Sequence, residues 1–318
     1  MIPDAPRLAE IRAAAARISP FAHRTPVLTC RTLDAMAGAT LFFKCENLQK
    51  AGAFKFRGAC NAVMSLSDAE AAPGVATHSS GNHAGALALA ARLRGIPATI
   101  VMPRTSRAVK KAAVEGYGAR IVECEPTQAA RESALAELVA RTGATFIHPY
   151  NDPRVVAGAA TAALELIEEV GDLDLVLAPV GGGGLISGTA LTVAAIAPAT
   201  RVIGAEPAGA DDACRSLREG RIVPSVNPHT IADGLLTSLG TLTFAIIRAH
   251  VAEIITVSEA AIVAAMRHVW ERMKILIEPS SAVPVAALLD GGVHLAGERV
   301  GVILSGGNVD LDRLPWRP

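Results

Sequence analysis

The sequence predicts an α/β protein of two domains, each an open, twisted and mainly parallel sheet, with the active site in the cleft between them. Three observations carry this. A chain of 318 residues, 51% apolar and only 19% charged, is too long for one small core and points to a large buried interior. A rhythm of strand, tight turn and helix runs from Gly74 to His148, the pattern of parallel crossovers. The same rhythm returns after Pro153 as a shared plan, not an alignable repeat. Residues 1–73 and 151–318 are assigned to the larger domain and 74–150 to the smaller.

Taken in order, Asp4 to Ile18 has helical spacing of Leu8, Ile11, Ala15 and Ile18, with Pro3 and Asp4 as the cap. Thr25 to Leu28 and Leu41 to Cys45 read as short strands around a helical turn, and a helix follows Lys55. Strands are expected at 74–78, 98–102, 120–124 and 145–148. Helices are expected at 84–93, 107–115 and 129–142, the first stopped by Gly95. The second half gives helices at 157–170, 185–197, 260–274 and 281–289, and strands at 175–180, 201–205, 253–257 and 299–304.

A formal net charge of zero and 3% aromatic residues offer no argument for nucleic acid or a membrane surface. A small-molecule substrate is expected. Residues 175–200 carry no charge and are long enough to span a bilayer, but four consecutive glycines and two prolines make them a buried strand, turn and helix. Five cysteines without a CxxC pair fit free thiols in a reducing compartment. The first residues lack a basic region followed by an apolar run. A cytoplasmic protein is expected.

Lys55 carries the chemistry. It stands between Phe54 and Phe56, and a lysine held against aromatic faces is partly desolvated, which favours the neutral amine that imine formation needs. Only six lysines occur, three of them in and beside this segment. Glycine-rich turns elsewhere offer phosphate and ring contacts, so Lys55 reads as a Schiff-base lysine for pyridoxal phosphate. Gly181 to Gly184 follow an apolar strand and open a helix, which suits an anion. A plain tight turn is the alternative. A dinucleotide loop is the weaker one, since the spacing is not G-x-G-x-x-G. Ser79-Ser80-Gly81-Asn82-His83 reads as a carboxylate-binding turn or an ordinary helix cap. Ser305-Gly306-Gly307-Asn308 places a hydroxyl for a pyridine nitrogen, or simply turns the chain. Glu206 to Asp212 holds three carboxylates, suited to a hard divalent cation or to solvent. His78, His83 and His148 read as structural donors.

These motifs together resemble the fold-type II pyridoxal-phosphate family of serine racemase and the serine/threonine dehydratases, over almost the whole chain. The resemblance implies that the larger domain binds the cofactor. It implies Lys55 as both the Schiff-base residue and the base for the Cα proton, with Phe54 flanking the ring. It implies Gly181, Gly182, Gly183, Gly184 and Leu185 on the phosphate, Asn82 on the ring hydroxyl and Ser305 on the pyridine nitrogen. Ser79, Ser80, Gly81, Asn82 and His83 would bind the substrate carboxylate, with Ser80 the opposite-face acid or base of the racemases. Glu206, the Ala210 carbonyl and Asp212 match the divalent-metal ligands (Mg²⁺, Ca²⁺ or Mn²⁺), and a homodimer is implied. The implied reaction is β-elimination of a β-hydroxy amino acid to a keto acid and ammonia. The larger biosynthetic threonine dehydratases carry a C-terminal regulatory domain, and this chain stops at Pro318 just after the last motif, so the resemblance implies a catabolic, feedback-insensitive enzyme.

Within the family, His78 to Ala84, His148-Pro-Tyr-Asn-Asp-Pro-Arg154, Glu278-Pro-Ser-Ser-Ala-Val-Pro284 and Leu314-Pro-Trp316 look most like the 3-hydroxyaspartate dehydratases. Gly85 replaces a glutamine of the racemases and leaves room for a second carboxylate, with Arg131 or another arginine as its partner. Ala51 departs from the hydroxyl residue of the ATP-activated racemases, which argues against nucleotide regulation. The alternatives are a threonine or serine dehydratase, a serine or aspartate racemase, and a dehydratase of ectoine catabolism. A dinucleotide oxidoreductase or a non-catalytic binding module would be colourless when purified.

Overall fold

A computed structural model describes residues 2–106, 108–290, 292–293 and 295–316. In chain order the elements are α1 (Leu8–Ile18), β1 (Val27–Leu28), α2 (Arg31–Ala37), β2 (Thr40–Cys45), α3 (Lys55–Met64) and α4 (Asp68–Ala71). There follow β3 (Val75–His78), α5 (Asn82–Arg94), β4 (Ala98–Pro103), α6 (Ala108–Gly116), β5 (Arg120–Cys124), α7 (Gln128–Thr142) and β6 (Thr145–Phe146). The rest comprises α8 (Pro153–Val170), β7 (Leu175–Pro179), α9 (Gly184–Ile196), β8 (Arg201–Pro207), α10 (Asp212–Glu219) and α11 (Thr241–His250). It closes with β9 (Glu253–Val257), α12 (Glu259–Met273), α13 (Pro279–Leu289) and β10 (Arg299–Leu304).

The strands form a six-stranded sheet, ordered β1-β2-β10-β7-β8-β9, and a four-stranded sheet, ordered β5-β4-β3-β6. Among the described residues only the β1–β2 strand pair is antiparallel. In the large sheet Val302 is in register with Phe43 on one side and Leu177 on the other. Both faces of this sheet are covered, so its strands are apolar throughout. Leu175, Leu177, Val300, Val302 and Leu304 enter one core with α12 and α13, while Val176, Ala178 and Ile303 enter another with α9 and α11. The small sheet is likewise packed on two sides.

Differences from the expected elements have local causes. The first helix starts at Leu8 with Arg7 as N-cap, closed by the Glu10 carboxylate accepting from the Arg7 N–H at 2.7 Å, not at Pro3-Asp4. The expected 157–170 helix starts at Pro153, because the Asp152 side chain caps it and proline suits its first position. The acidic run from Glu206 to Asp212 spans the end of β8, a 3-10 turn at Ala208–Ala210 and the first residue of α10, and α11 carried no strong sequence signal. Arg107, the expected first residue of the basic helix, lies outside the described residues. Among the described residues no helix is long and apolar enough to cross a membrane.

Candidate active site

Lys55 opens α3, and the residues just before it are tied to the end of β10. The Phe54 N–H donates to the Ser305 carbonyl at 2.9 Å, and Ala53 forms an isolated bridge with Gly306. That joint sets the backbones of Phe54 and Ser305 side by side, one residue before Lys55. Lys55 Nζ donates to the Pro149 carbonyl at 2.9 Å and stands 5.1 Å from the Phe54 ring centroid. The second ring is not Phe56, which points into the core against α5, but Tyr150, with its centroid 5.9 Å away. The helical turn decides this, since neighbours in sequence point in different directions on a helix. Burial pushes the Lys55 amine down to about 8, close to the neutral form that imine formation uses.

Beneath α3 lies a buried set of four charges. The fully buried Arg57 donates to Glu46 at 2.7 and 2.8 Å and to Glu165 at 2.7 and 2.8 Å. Lys44, also fully buried, donates to Glu165 at 2.6 Å and to the Thr25 carbonyl at 2.7 Å. Two cations and two carboxylates thus join β2, α3 and α8 and fix the helix that carries Lys55.

Gly181 to Gly184 link β7 to α9, with Gly183 at φ 88° as its left-handed N-cap. A Cβ at Gly182 would collide with the Tyr150 ring, and one at Gly184 would stand 3.0 Å from Tyr150 Cβ. The glycines therefore let this loop pack directly against the ring beside Lys55. The first N–H groups of α9, around Gly184 and Leu185, have no acceptor within the helix and face the positive end of its dipole. This donor set fits a phosphate.

Asn82 opens α5. Its Nδ2 donates to Glu278 Oε1 at 2.8 Å, and its Oδ1 accepts from Asn308 Nδ2 at 3.0 Å. Ser79 N–H is used by the Val101 carbonyl, and Gly81 N–H reaches Ser79 Oγ at 3.3 Å. His83 is buried with Nδ1 unpartnered, and burial with nearby Lys55 holds it well below the usual histidine range. Ser305 Oγ lies 3.1 Å from Ser281 Oγ. Ala51, Gly81, Asn82, Gly85, Lys110 and Tyr117 line part of a cavity of about 320 Å³.

A column of rings runs from His78 through Phe146 and His148 to Tyr150, with centroid distances of 6.0, 5.6 and 4.6 Å. His148 is an acceptor, not the donor expected, because its Nδ1 receives the N–H groups of Tyr150 and Asn151 at 3.2 and 2.8 Å. Burial holds it down to about 4. Arg131 on α7 faces His78 at the far end of this column, and its buried Nε has no hydrogen-bond partner.

Glu206 and Asp212 lie apart from Lys55, at the end of β8 and the start of α10. Glu206 accepts from the Ala213 and Cys214 N–H groups at 3.0 and 2.9 Å. Both Asp212 oxygens are buried without a hydrogen-bond partner. Burial, and for Glu206 the neighbouring Asp212, pushes Glu206 up to about 8, and burial pushes Asp212 up to about 6. Asp211, the third carboxylate of this run, turns away to Arg215 at 2.8 Å. Among the described residues no group of three or more His, Cys, Asp or Glu side chains gathers around a metal position. Two buried carboxylates and the Ala210 carbonyl are a donor set that fits a hard cation.

Sequence reasoning missed Tyr150 and Glu278 as site residues. Each sat inside a quoted motif, but their neighbours in the site are far away along the chain.

A lysine amine lowered by burial, a glycine loop at a helix N-terminus and a serine tied to the residue before the lysine are groups that fit a phosphorylated aldehyde cofactor. The chain belongs to the family of pyridoxal-phosphate dependent enzymes, which its residues 18–306 match. It is 56% identical over 311 residues to the beta-hydroxyaspartate dehydratase of Paracoccus denitrificans, covering 98% of this chain and 99% of that one. It is 47% identical to the L-threo-3-hydroxyaspartate ammonia-lyase of Saccharomyces cerevisiae, with 97% and 95% covered. Its fold matches the structure of maize serine racemase with a TM-score of 0.95 and 47% identity, over 97% of this chain and 95% of that one.

Proposed function

We propose that the chain is a pyridoxal-phosphate-dependent dehydratase (ammonia-lyase) that acts on a β-hydroxy amino acid, 3-hydroxyaspartate in preference, to give oxaloacetate and ammonia. The observation that carries this is the 56% identity, over 98% of the chain, to a protein described as beta-hydroxyaspartate dehydratase. Bound through Lys55, pyridoxal phosphate supplies an electron sink that makes the substrate Cα proton removable.

The residues divide the remaining work. Leu185 and the glycines before it hold the phosphate through main-chain N–H groups, Asn82 meets the ring hydroxyl, Ser305 faces the pyridine nitrogen and Phe54 flanks the ring. The Ser79–His83 turn holds the α-carboxylate and orients the Cα–H bond toward Lys55. Lys55 Nζ accepts that proton, and an amine near 8 both takes and returns protons at neutral pH. The unpartnered Nε of Arg131 supports a place for the β-carboxylate. Elimination then removes the Cα proton and the β-hydroxyl as water, and hydrolysis of the released enamine, through its imine, takes up one water to give oxaloacetate and ammonia. Glu206, the Ala210 carbonyl and Asp212 hold a divalent cation in this reading. Five free cysteines support a cytoplasmic enzyme, with a homodimer as the expected assembly.

The test is a substrate panel. Oxaloacetate and ammonia are expected from hydroxyaspartate isomers, and Arg131→Leu is expected to raise KM for them more than for serine. Turnover of threonine or serine alone would move the assignment to a threonine/serine dehydratase. A racemase is the second reading, favoured by the likeness to serine racemases. Chiral analysis of recovered substrate separates the two, because Ser80→Ala removes inversion and leaves elimination.

A further inference from the structure

Glu278 stands at the N-cap of α13, and its side chain makes no capping bond to that helix. It is buried, and among the described residues no cation forms an ion pair with it. Lys110 and Asp233 face it from α6 and from the 233–235 turn, and burial pushes its carboxyl up to about 8. A buried carboxyl without a cation or a capping role is unfavourable and calls for another account.

Its contacts supply one. Glu278 Oε1 accepts from Asn82 Nδ2 at 2.8 Å, reaching from the large-sheet side across the cleft to the start of α5. The Glu278 N–H donates to the Gly306 carbonyl at 3.0 Å, and a Cβ at Gly306 would stand 2.6 Å from Glu278 Oε1. Glu278 therefore touches both Asn82 and the turn that carries Ser305, the two groups read as meeting the ring hydroxyl and the pyridine nitrogen of the cofactor. Asn82 Oδ1 is taken by Asn308 Nδ2, which also donates to the Ala51 carbonyl at 2.8 Å. With one end of the amide committed to Asn308 and one N–H to Glu278, a single Asn82 N–H remains.

We infer that Glu278 is a positioning residue that turns the Asn82 amide so that its remaining N–H meets the cofactor ring hydroxyl. The inference rests on the reading of Asn82 as the ring-hydroxyl partner.

A double-mutant cycle on cofactor affinity tests it, with pyridoxal phosphate titrated into the refolded or dialysed apoprotein and followed by fluorescence. Asn82→Ala and Glu278→Met are each expected to weaken binding about 10-fold, as the loss of one well-placed hydrogen bond does. The double variant is expected to match the worse single variant, because both remove the same contact. Glu278→Gln keeps an acceptor of the same size and is expected to stay within about 3-fold of the parent. Losses that multiply to about 100-fold in the double variant would overturn the inference. So would a Glu278→Gln variant as weak as Glu278→Met. Parent-like binding by Asn82→Ala would instead overturn the ring-hydroxyl reading. Glu278→Ala in place of Glu278→Met closes a second cycle if the latter does not fold.

Discussion

Replacing Arg57 by methionine keeps most of the side-chain volume and removes one of the two cations beneath α3. Lys44 still pairs with Glu165 at 2.6 Å, so the group left behind is Glu46, fully buried and holding only the Thr25 hydroxyl at 2.6 Å. Breaking a buried pair by removing one partner costs about 3–5 kcal/mol, because the remaining charge stays out of water. For 318 residues the unfolding entropy is roughly 0.7 kcal/mol/K, so the midpoint should fall by about 5–7 °C. Calorimetry of the apoprotein measures it. The double variant Arg57→Met/Glu46→Leu also removes the orphaned carboxylate and should recover more than half of the loss, since apolar replacements of buried pairs are near neutral. A single variant that melts within about 1 °C of the parent would refute the reasoning. So would a double variant that melts below the single one, which would mean packing, not desolvation, sets the cost.

Two further outcomes follow from the site. Gly85→Gln should fold normally, because a Cβ there would lie 3.7 Å from Tyr117 Cε2. Its side chain would occupy part of the adjoining cavity and raise KM for hydroxyaspartate by about 10-fold, with KM for serine little changed as the check. The cation site should reveal itself through pH. Glu206 and Asp212 have folded values raised above their ordinary 4.5 and 3.8, to about 8 and about 6. Between those limits the unfolded chain has lost the protons that the folded metal-free protein keeps, so metal-free stability from these groups falls as pH rises. Added Mg²⁺ should therefore raise the melting temperature more at pH 8 than at pH 6, read by a thermal scan, and Asp212→Asn should weaken that gain.

Much of the site was legible because its motifs are short-range. Four glycines between an apolar strand and a helix, or a serine and two glycines after the last strand, announce a turn whose backbone is open to a ligand. Lys55 was legible for the same reason, though its environment was not. Phe56 looked like its second ring on sequence distance alone, yet the turn of α3 sends Phe56 into the core, and the chain brings Tyr150 from 95 positions away. Glu278 reads in sequence as an acid before a helix, which is an ordinary place for one. Only the packing of α13 against the end of β10 places it beside Asn82. The acidic run from Glu206 to Asp212 reads as three alike carboxylates, whereas the fold buries Glu206 and Asp212 and turns Asp211 out to Arg215, because a loop and a first helical turn differ in which side chains they bury.

The short seam between Ala53-Phe54 and Ser305-Gly306 has a consequence for how this enzyme can vary. Two backbone segments about 250 residues apart in sequence are joined there by main-chain atoms, so a side-chain replacement at Phe54 or Ser305 leaves the seam itself in place. The side chains around the cavity that Gly85 helps to line can then change from one sequence to another while the floor beneath them stays joined.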